Sequence, residues 1–369
     1  MKDVMLMNEH YNNYTRTLWR DPKFFVSVTK KNSALEDIVG TGYDFDEKLS
    51  ILKSKGEFFE RSSALYPFTK IIKTSYDNLK RNKININDLI QYEDDIYINN
   101  DDFECFSENK VTYWVEGLDY VSNQKIILPY ELIYLKNTDI KPYREHNSTG
   151  LAFHKDINSA ILNGFFEVIE RNDFMAMWLF KEIKYEYRLE EITKNINHFK
   201  YVKVLKALGL KIRIFNISQY QYIYTVLVMI NNGKGIIIAA ASSNDIDVSI
   251  EKSLSEALAS YFIYSQKVLK NVQIDNPFDK NVIEYLTGKK SVKWLENYNC
   301  ESKNLKENNK KELSELIKLN SLNLYYKILN ESSHGVVVRV IVPNAIPLSI
   351  KINNFNLANI KNFKVHPFP

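Results

Sequence analysis

One short phrase, Glu-x-x-Glu-Arg, is written twice in this chain, at Glu57-Phe58-Phe59-Glu60-Arg61 and at Glu167-Val168-Ile169-Glu170-Arg171. Both copies sit in stretches with helical apolar spacing. On a helix, residues three apart share a face, so each copy points two carboxylates the same way with an arginine beside the second. Like charges at that spacing cost a few tenths of a kcal/mol in a bare helix, so folding alone gives no reason to repeat them. Paired carboxylates can instead hold a divalent cation that in turn holds phosphates. The chain has nine arginines against forty lysines, and two of the nine occupy the same frame of this repeat.

Bulk properties exclude several alternatives. With 369 residues, 45% apolar and 25% charged, the chain can bury two or three cores or one composite core. A net charge of +4 gives no support for a nucleic-acid or membrane partner. Cys105 and Cys300 stand far apart, which rules out a disulfide framework and a Cys-x-x-Cys zinc site. Residues 1–12 carry no apolar stretch behind a basic start, and the longest apolar runs are strand-length. A soluble, cytoplasmic protein is expected.

No Pro-, Gly- or Ser-rich linker divides the chain, so interlocked subdomains are expected in an α+β fold. Residues 1 to about 44 read as polar and irregular, and 46–66 as a helix. Short β runs follow, including 111–115 and 125–128, and a turn of small residues at 146–150 opens a second helix over 158–181. After a helix near 200–208 come β runs at 211–217 and 222–230. The continuously apolar strand 235–240 reads as buried on both faces. It leads into a third long helix over 247–269; residues 275–320 read as the least ordered part, and a strand spans 336–342.

Three constellations emerge. Glu57, Glu60 and Arg61 follow Gly40-Thr41-Gly42. Asn163, Glu167, Glu170 and Arg171 follow Ser148-Thr149-Gly150. Lys252 and Glu256 lie one turn apart on the third helix. Any one alone reads first as an exposed helix face with self-paired charges. Together they read as one site built from three elements, because glutamates converging without a cation would suffer strongly raised pKa values. No Walker-type phosphate loop and no Gly-x-Gly-x-x-Gly turn occurs.

The ordered set of the Gly56-Glu-Phe-Phe-Glu-Arg61 phrase, Asn147-Ser-Thr-Gly-Leu-Ala152, Ala160-Ile-Leu-Asn-Gly164, Glu167-x-x-Glu-Arg171 and Lys252-Ser-Leu-Ser-Glu256 resembles the YcaO family of ATP-using enzymes. The resemblance runs from about residue 35 to the end. It implies a catalytic domain over 35–369 behind an N-terminal segment 1–34. It also implies ATP and Mg²⁺ as cofactors, with Glu57, Glu60, Glu167, Glu170 and Glu256 as metal ligands. Arg61, Ser148, Asn163, Arg171 and Lys252 would complete the nucleotide site. His154, in the turn before the second helix, is a further candidate for a phosphate contact. His10, His146, His198 and His334 have no ligand spacing and read as surface or core residues.

Four positions depart from the family pattern. Lys53, with Ser54 beside it, replaces a serine; Ser159 replaces an acidic residue; Ala259 replaces a glutamine; and Lys252 replaces an arginine. The terminus His366-Pro367-Phe368-Pro369 resembles the proline-rich tail of azoline-forming members. This implies an active-site role for Pro367, Phe368 and Pro369, with prolines stiffening the segment. The implied activity is ATP-dependent cyclodehydration of Cys, Ser or Thr in a ribosomally made precursor peptide. The implied partners are that peptide, a separate E1-like leader-binding protein and a flavin-dependent dehydrogenase. Thioamide or amidine formation on the same scaffold, and a non-catalytic nucleotide-binding scaffold, remain as alternatives.

Overall fold

The computed structural model describes residues 11–31, 38–65, 67–99, 101–305, 309–349 and 366. The stretch expected to be irregular contains β1 (Asn12–Arg20) and β2 (Lys23–Lys31), which pair antiparallel with β3 (Ile38–Asp44) in the order β1-β2-β3. Apolar alternation could not reveal these strands, because the inward positions of β2 include Ser27 and Thr29, both fully buried. They bond to the first helix, α1 (Glu47–Leu65): Ser27 Oγ lies 2.7 Å from Ser50 Oγ, and Thr29 Oγ1 lies 2.8 Å from Ser54 Oγ.

After β4 (Ile72–Ser75) and the short α2 (Asp94–Asn99), the hairpin β5 (Val111–Asp119) and β6 (Lys125–Pro129) leads through α3 (Tyr130–Ile133) to β7 (Leu151–His154). The long α4 (Ile157–Phe180) follows. Then come β8 (Tyr185–Tyr187), α5 (Leu189–Ile192), α6 (Ile196–Ala207), β9 (Lys211–Asn216), β10 (Tyr224–Asn231), β11 (Ile236–Ser243) and α7 (Ile246–Leu269). Residues 275–320, expected to be least ordered, instead hold α8 (Pro277–Leu286), α9 (Lys293–Glu296), β12 (Ser302–Lys303) and α10 (Leu313–Leu319). Asparagine serves there as a cap. Asn276 Oδ1 accepts the Phe278 N–H at 2.9 Å with Pro277 in the first turn, and Val282, Tyr285 and Leu286 are buried at helical spacing. The hairpin β13 (Tyr325–Ser332) and β14 (Gly335–Ile341) completes the strands.

Two further sheets run β4-β5-β13-β14-β7, with β6 paired to β5, and β11-β10-β9-β8-β12. The core lies between sheets and helices. All eight residues of β11 are buried, as its apolar run implied. Ile236, Ile238 and Ala240 face the cluster of Phe174, Met177 and Trp178 on α4; Ile237 and Ala239 face Ile250, Leu254 and Leu258 on α7. Among the described residues no helix is long and apolar enough to cross a membrane.

The helices α1, α4 and α7 each follow the terminal strand of a different sheet: β3, β7 and β11. Close approach needs small groups. A Cβ on Gly40 would lie 2.2 Å from the Ser54 carbonyl oxygen, and one on Gly42 2.2 Å from that of Ser50. Gly40→Ala is therefore expected to lower stability by roughly 1–3 kcal/mol through overpacking. Gly56→Ala, whose Cβ would meet Phe153 at an ordinary 3.4 Å, should be neutral or stabilising by up to about 1 kcal/mol. Urea unfolding of the two variants checks the contrast.

Candidate nucleotide site at three strand–helix units

The three units share one sequence frame. Asp46, Asp156 and Asp245 each cap a helix, their Oδ1 atoms accepting backbone N–H groups of Lys48, Ser159 and Asp247 at 2.7, 2.8 and 3.0 Å. Four residues on stand Ser50, Ala160 and Ser249, and eight on Ser54, Gly164 and Ser253, all buried. Eleven on stand Glu57, Glu167 and Glu256. The small residues let each helix lie close to its strand, and the common count from the cap sets the three glutamates at matching heights. This frame extends the two-copy repeat to a third helix and places Glu256 in the site. At the positions of Glu60/Glu170 and Arg61/Arg171 the third helix has Ala259 and Ser260, both buried, so that unit lacks the second carboxylate and its arginine.

The first glutamate of each repeated phrase is tied down. Glu57 accepts the Thr41 N–H and pairs with Arg61. Glu167 accepts the Gly150 N–H at 2.8 Å and pairs with Arg171 at 2.7 Å. Each arginine thus reaches one turn back rather than the neighbouring second glutamate. Gly150 adopts φ +82°, and a Cβ there would lie 2.2 Å from the Val340 carbonyl oxygen, so the donor position needs glycine. The second glutamates differ: Glu60 accepts the Phe153 N–H at 2.7 Å, whereas no hydrogen bond within the described residues ties down Glu170 or Glu256.

All these carboxylates are half-buried and feel one another. Burial, then the Glu167 charge, pushes Glu60 up to about 8, with the Phe153 N–H opposing. Burial, then Glu256 and Glu167, raises Glu170 well above the ordinary carboxyl range. Burial takes Glu256 to about 7 against the pull of Arg171. Lys252, exposed on its outer side, is held below the ordinary lysine range by burial, with Glu170 opposing and Lys53 reinforcing the fall. Arg171 Nη1 donates to Thr149 Oγ1 at 2.6 Å while its buried Nε has no partner. This cluster has the donor chemistry of a divalent-cation and phosphate site: hard oxygens short of positive charge, beside guanidinium and ammonium groups with donors to spare. Among the described residues no three His, Cys, Asp or Glu side chains form a ready-made metal cage.

The remaining expected residues are placed as follows. Asn163 is exposed on α4, one turn before Glu167. Arg171 is held by Thr149, not by its neighbour Ser148. His154 lies 2.9 Å from the capping Asp156, at the start of α4 rather than among the glutamates. Lys53 pairs with Asp44 at 2.8 Å, and Ser54 is a buried packing residue rather than a stand-in for a ligand. His198 is in the core and His334 on the surface; His146, half-buried, sits 2.9 Å from the Tyr134 carbonyl. Pro367, Phe368, Pro369 and His10 lie outside the described residues. Sequence reasoning missed Tyr43. Its phenol on β3 is pushed far up by burial and by Glu256, Glu57 and Glu170, so it stands among three of the five glutamates. Its position just after Gly40-Thr41-Gly42 was the available signal.

Comparison with known proteins identifies the family and the fold. A family profile described as YcaO cyclodehydratase, ATP- and Mg²⁺-binding, matches residues 41–346. The fold is similar to that of a heterocyclase solved in complex with substrate and cofactor (TM-score 0.72, 14% identity), a match covering 87% of this chain and 48% of that one. This chain therefore spans about half the length of that heterocyclase. It is also similar to YcaO from Methanopyrus kandleri bound with AMPPCP and Mg²⁺ (TM-score 0.66, 15% identity, covering 90% and 85%). A third is the E. coli microcin synthetase McbBCD complex with pro-MccB17 bound (TM-score 0.67, 16% identity, covering 89% and 86%). No curated protein sequence matches the chain.

The raised carboxyls make stability depend on pH in a defined direction. Glu60, Glu170 and Glu256 bind protons more tightly folded than unfolded, so their contribution is present below the ordinary value of 4.5 and is lost as pH climbs to about 8. The Tm of the nucleotide-free protein is expected to fall between pH 5 and 8, and Glu170→Gln to flatten that fall; calorimetric scans across the range check it.

Proposed function

The chain belongs to the YcaO family of ATP- and Mg²⁺-binding cyclodehydratases, and on that premise we propose that it forms azoline rings in a ribosomally made precursor peptide. The observation that carries the site assignment is the gathering of Glu57, Glu60, Glu167, Glu170 and Glu256 from three helices into one half-buried cluster with raised carboxyls. Their uncompensated negative charge and the unpartnered Arg171 Nε fit a magnesium–nucleotide complex. Glu60, Glu170 and Glu256 offer the free oxygens; Glu57 and Glu167 add charge and fix Arg61 and Arg171. When bound, Mg²⁺ neutralises phosphate charge and orients the phosphates.

In the proposed reaction a Cys, Ser or Thr side chain of the peptide adds to the preceding amide carbonyl. The former carbonyl oxygen takes the terminal phosphoryl group of ATP, and phosphate leaves as the ring dehydrates. Such chemistry asks a protein mainly for positioning and charge neutralisation. Arg171, fixed by Glu167 and Thr149, and Lys252, whose amine is partly desolvated, are placed to hold phosphate oxygens. Tyr43 closes the cluster from β3.

The tail keeps its proposed role. His366 is buried: its carbonyl accepts Asn281 Nδ2 at 2.6 Å, its Nε2 lies 3.0 Å from the Ser349 carbonyl, and its ring meets Phe174 edge-on at 5.1 Å. Phe174 is one turn beyond Glu170 on α4, so the residue before the tail packs on the helix that carries Glu170.

We propose an N-terminal segment 1–34 and a catalytic domain 35–369; strands β1 and β2 of that segment pack on the first motif helix. The microcin synthetase is a multiprotein complex and the longer heterocyclase has about twice this chain's length. The microcin complex supports a separate leader-binding protein as partner, proposed here to be E1-like; a flavin-dependent dehydrogenase acting after it, in the cytoplasm, completes the proposal. The substitutions at Lys53, Ser159 and Ala259 favour one second reading, a nucleotide-binding scaffold without catalysis.

Glu170→Gln is expected to abolish binding of ATP with Mg²⁺ at no loss of apo stability, because it removes one charge from a repelling cluster; calorimetry showing unchanged affinity would overturn the site. Deleting residues 367–369 should cut cyclisation severely while ATP affinity and Tm hold. Full turnover by the purified chain on precursor peptide without a partner would count against the complex, and its absence even with a leader-binding partner would favour the scaffold.

A further inference from the structure

Behind the Glu167–Arg171 pair lies a cavity open to solvent, about 490 Å³ with the solvent at its mouth included and about 40 Å³ without it, that the glutamate cluster does not use. Its polar lining is Arg144, Asn147, Thr149, Arg339 and Asn344; its apolar walls come largely from the end of β14 and the segment after it. Arg339, on β14, is only 5% exposed. Its Nε donates to the Leu132 carbonyl and its Nη2 to the Asn147 carbonyl, both at 2.8 Å, while its Nη1 is buried with no hydrogen-bond partner among the described residues. Arg144 is half-buried. Its guanidinium lies 5.9 Å from the Tyr143 ring centroid, and it makes no ion pair or hydrogen bond within the described residues.

Positive charge accumulates here. Burial, with Arg171 and Arg144 adding to it, works against the Arg339 cation, and Glu167 is the carboxylate opposing them. Burial and the same Arg339 and Arg144 charges also hold His146 below its ordinary value. Glu131, raised to about 8 by burial, is a carboxyl that interacts with the Arg144 charge. A buried guanidinium with an idle N–H is costly unless something accepts from it, and the fold keeps one next to a second unpaired guanidinium in the same cavity.

We propose that this cavity is an oxyanion site for a phosphate group, either orthophosphate or the terminal phosphoryl group of the bound nucleotide. Guanidinium forks match phosphate oxygens in pairs. The Thr149 hydroxyl accepts from Arg171 and so has its hydrogen left to donate. The donors that line the cavity come from two segments, residues 144–149 and 339–344. Orthophosphate binding does not depend on the azoline reading; only its place in turnover rests on that reading. Thr149 joins the two sites, since it lines the cavity and holds the arginine of the glutamate cluster.

The test is calorimetric titration of the full chain with orthophosphate and, separately, with AMPPCP plus Mg²⁺. Arg144→Gln and Arg339→Lys are compared with the unsubstituted protein, and circular dichroism confirms folding. Both substitutions should weaken orthophosphate about tenfold or more, the loss of one charge-assisted hydrogen bond. Unchanged AMPPCP affinity in Arg144→Gln then identifies the occupant as free phosphate; a parallel loss identifies it as the nucleotide's terminal group. Absence of orthophosphate binding to the unsubstituted chain, or equal binding in all three proteins, overturns the proposal. Glu170→Gln should leave the orthophosphate titration unchanged, which separates failure of this site from failure of the nucleotide site.

Discussion

The closeness of each motif helix to the edge strand before it is the constraint on which the site depends. Ser50 and Ser54, Ala160 and Gly164, and Ser249 and Ser253 remove side-chain bulk at two successive turns of α1, α4 and α7. Where the strand contributes glycine as well, at Gly40 and Gly42, main chain meets main chain. A carboxylate one turn further on then reaches strand N–H groups: Glu57 takes Thr41 and Glu167 takes Gly150. Larger residues would lift the helices, and the glutamates would reach solvent instead of one another.

That packing creates an electrostatic conflict which the fold only partly resolves. Arginines one turn along neutralise the first glutamate of two units, and backbone N–H groups satisfy some oxygens. Glu170 and Glu256 stay without such help, and Tyr43 stands among them with a phenol that is hard to ionise. Rigid elements hold like charges together that would separate if free. An apo state under such repulsion gains most from a ligand that brings positive charge, and a divalent cation such as magnesium does so, with the nucleotide phosphates answered by the arginines and Lys252.

The third unit is unequal to the other two, and the inequality has a structural consequence. Where α1 and α4 carry a second carboxylate and an arginine, α7 carries Ala259 and Ser260, buried against its neighbours. The face that two helices devote to charge is devoted on the third to packing against the core. The site is thus asymmetric, with most of its charged groups on α1 and α4 and with Glu256 and Lys252 approaching from α7.

Much of this was legible in the residues. The helical spacing around Glu57-x-x-Glu60-Arg61 and Glu167-x-x-Glu170-Arg171 marked both helices and the shared face, and the unbroken apolar run before Ser242 marked a strand covered on both sides. Those are local signals, carried by residues within a turn or two of one another. Strands β1 and β2 were not legible, because Ser27 and Thr29 are buried through hydroxyl contacts with Ser50 and Ser54 that exist only once α1 lies across them. The asparagine-rich stretch near residue 276 read as disorder because a cap and a solvated loop use the same residue type. Tyr43, the link from Thr149 to Arg171, and the idle Nη1 of Arg339 depend on groups distant in sequence meeting in space. The sequence by itself determined which side chains carry charge and on which helices; only the tertiary structure decided which of those charges are neutralised, because neutralisation depends on partners that the chain order keeps apart.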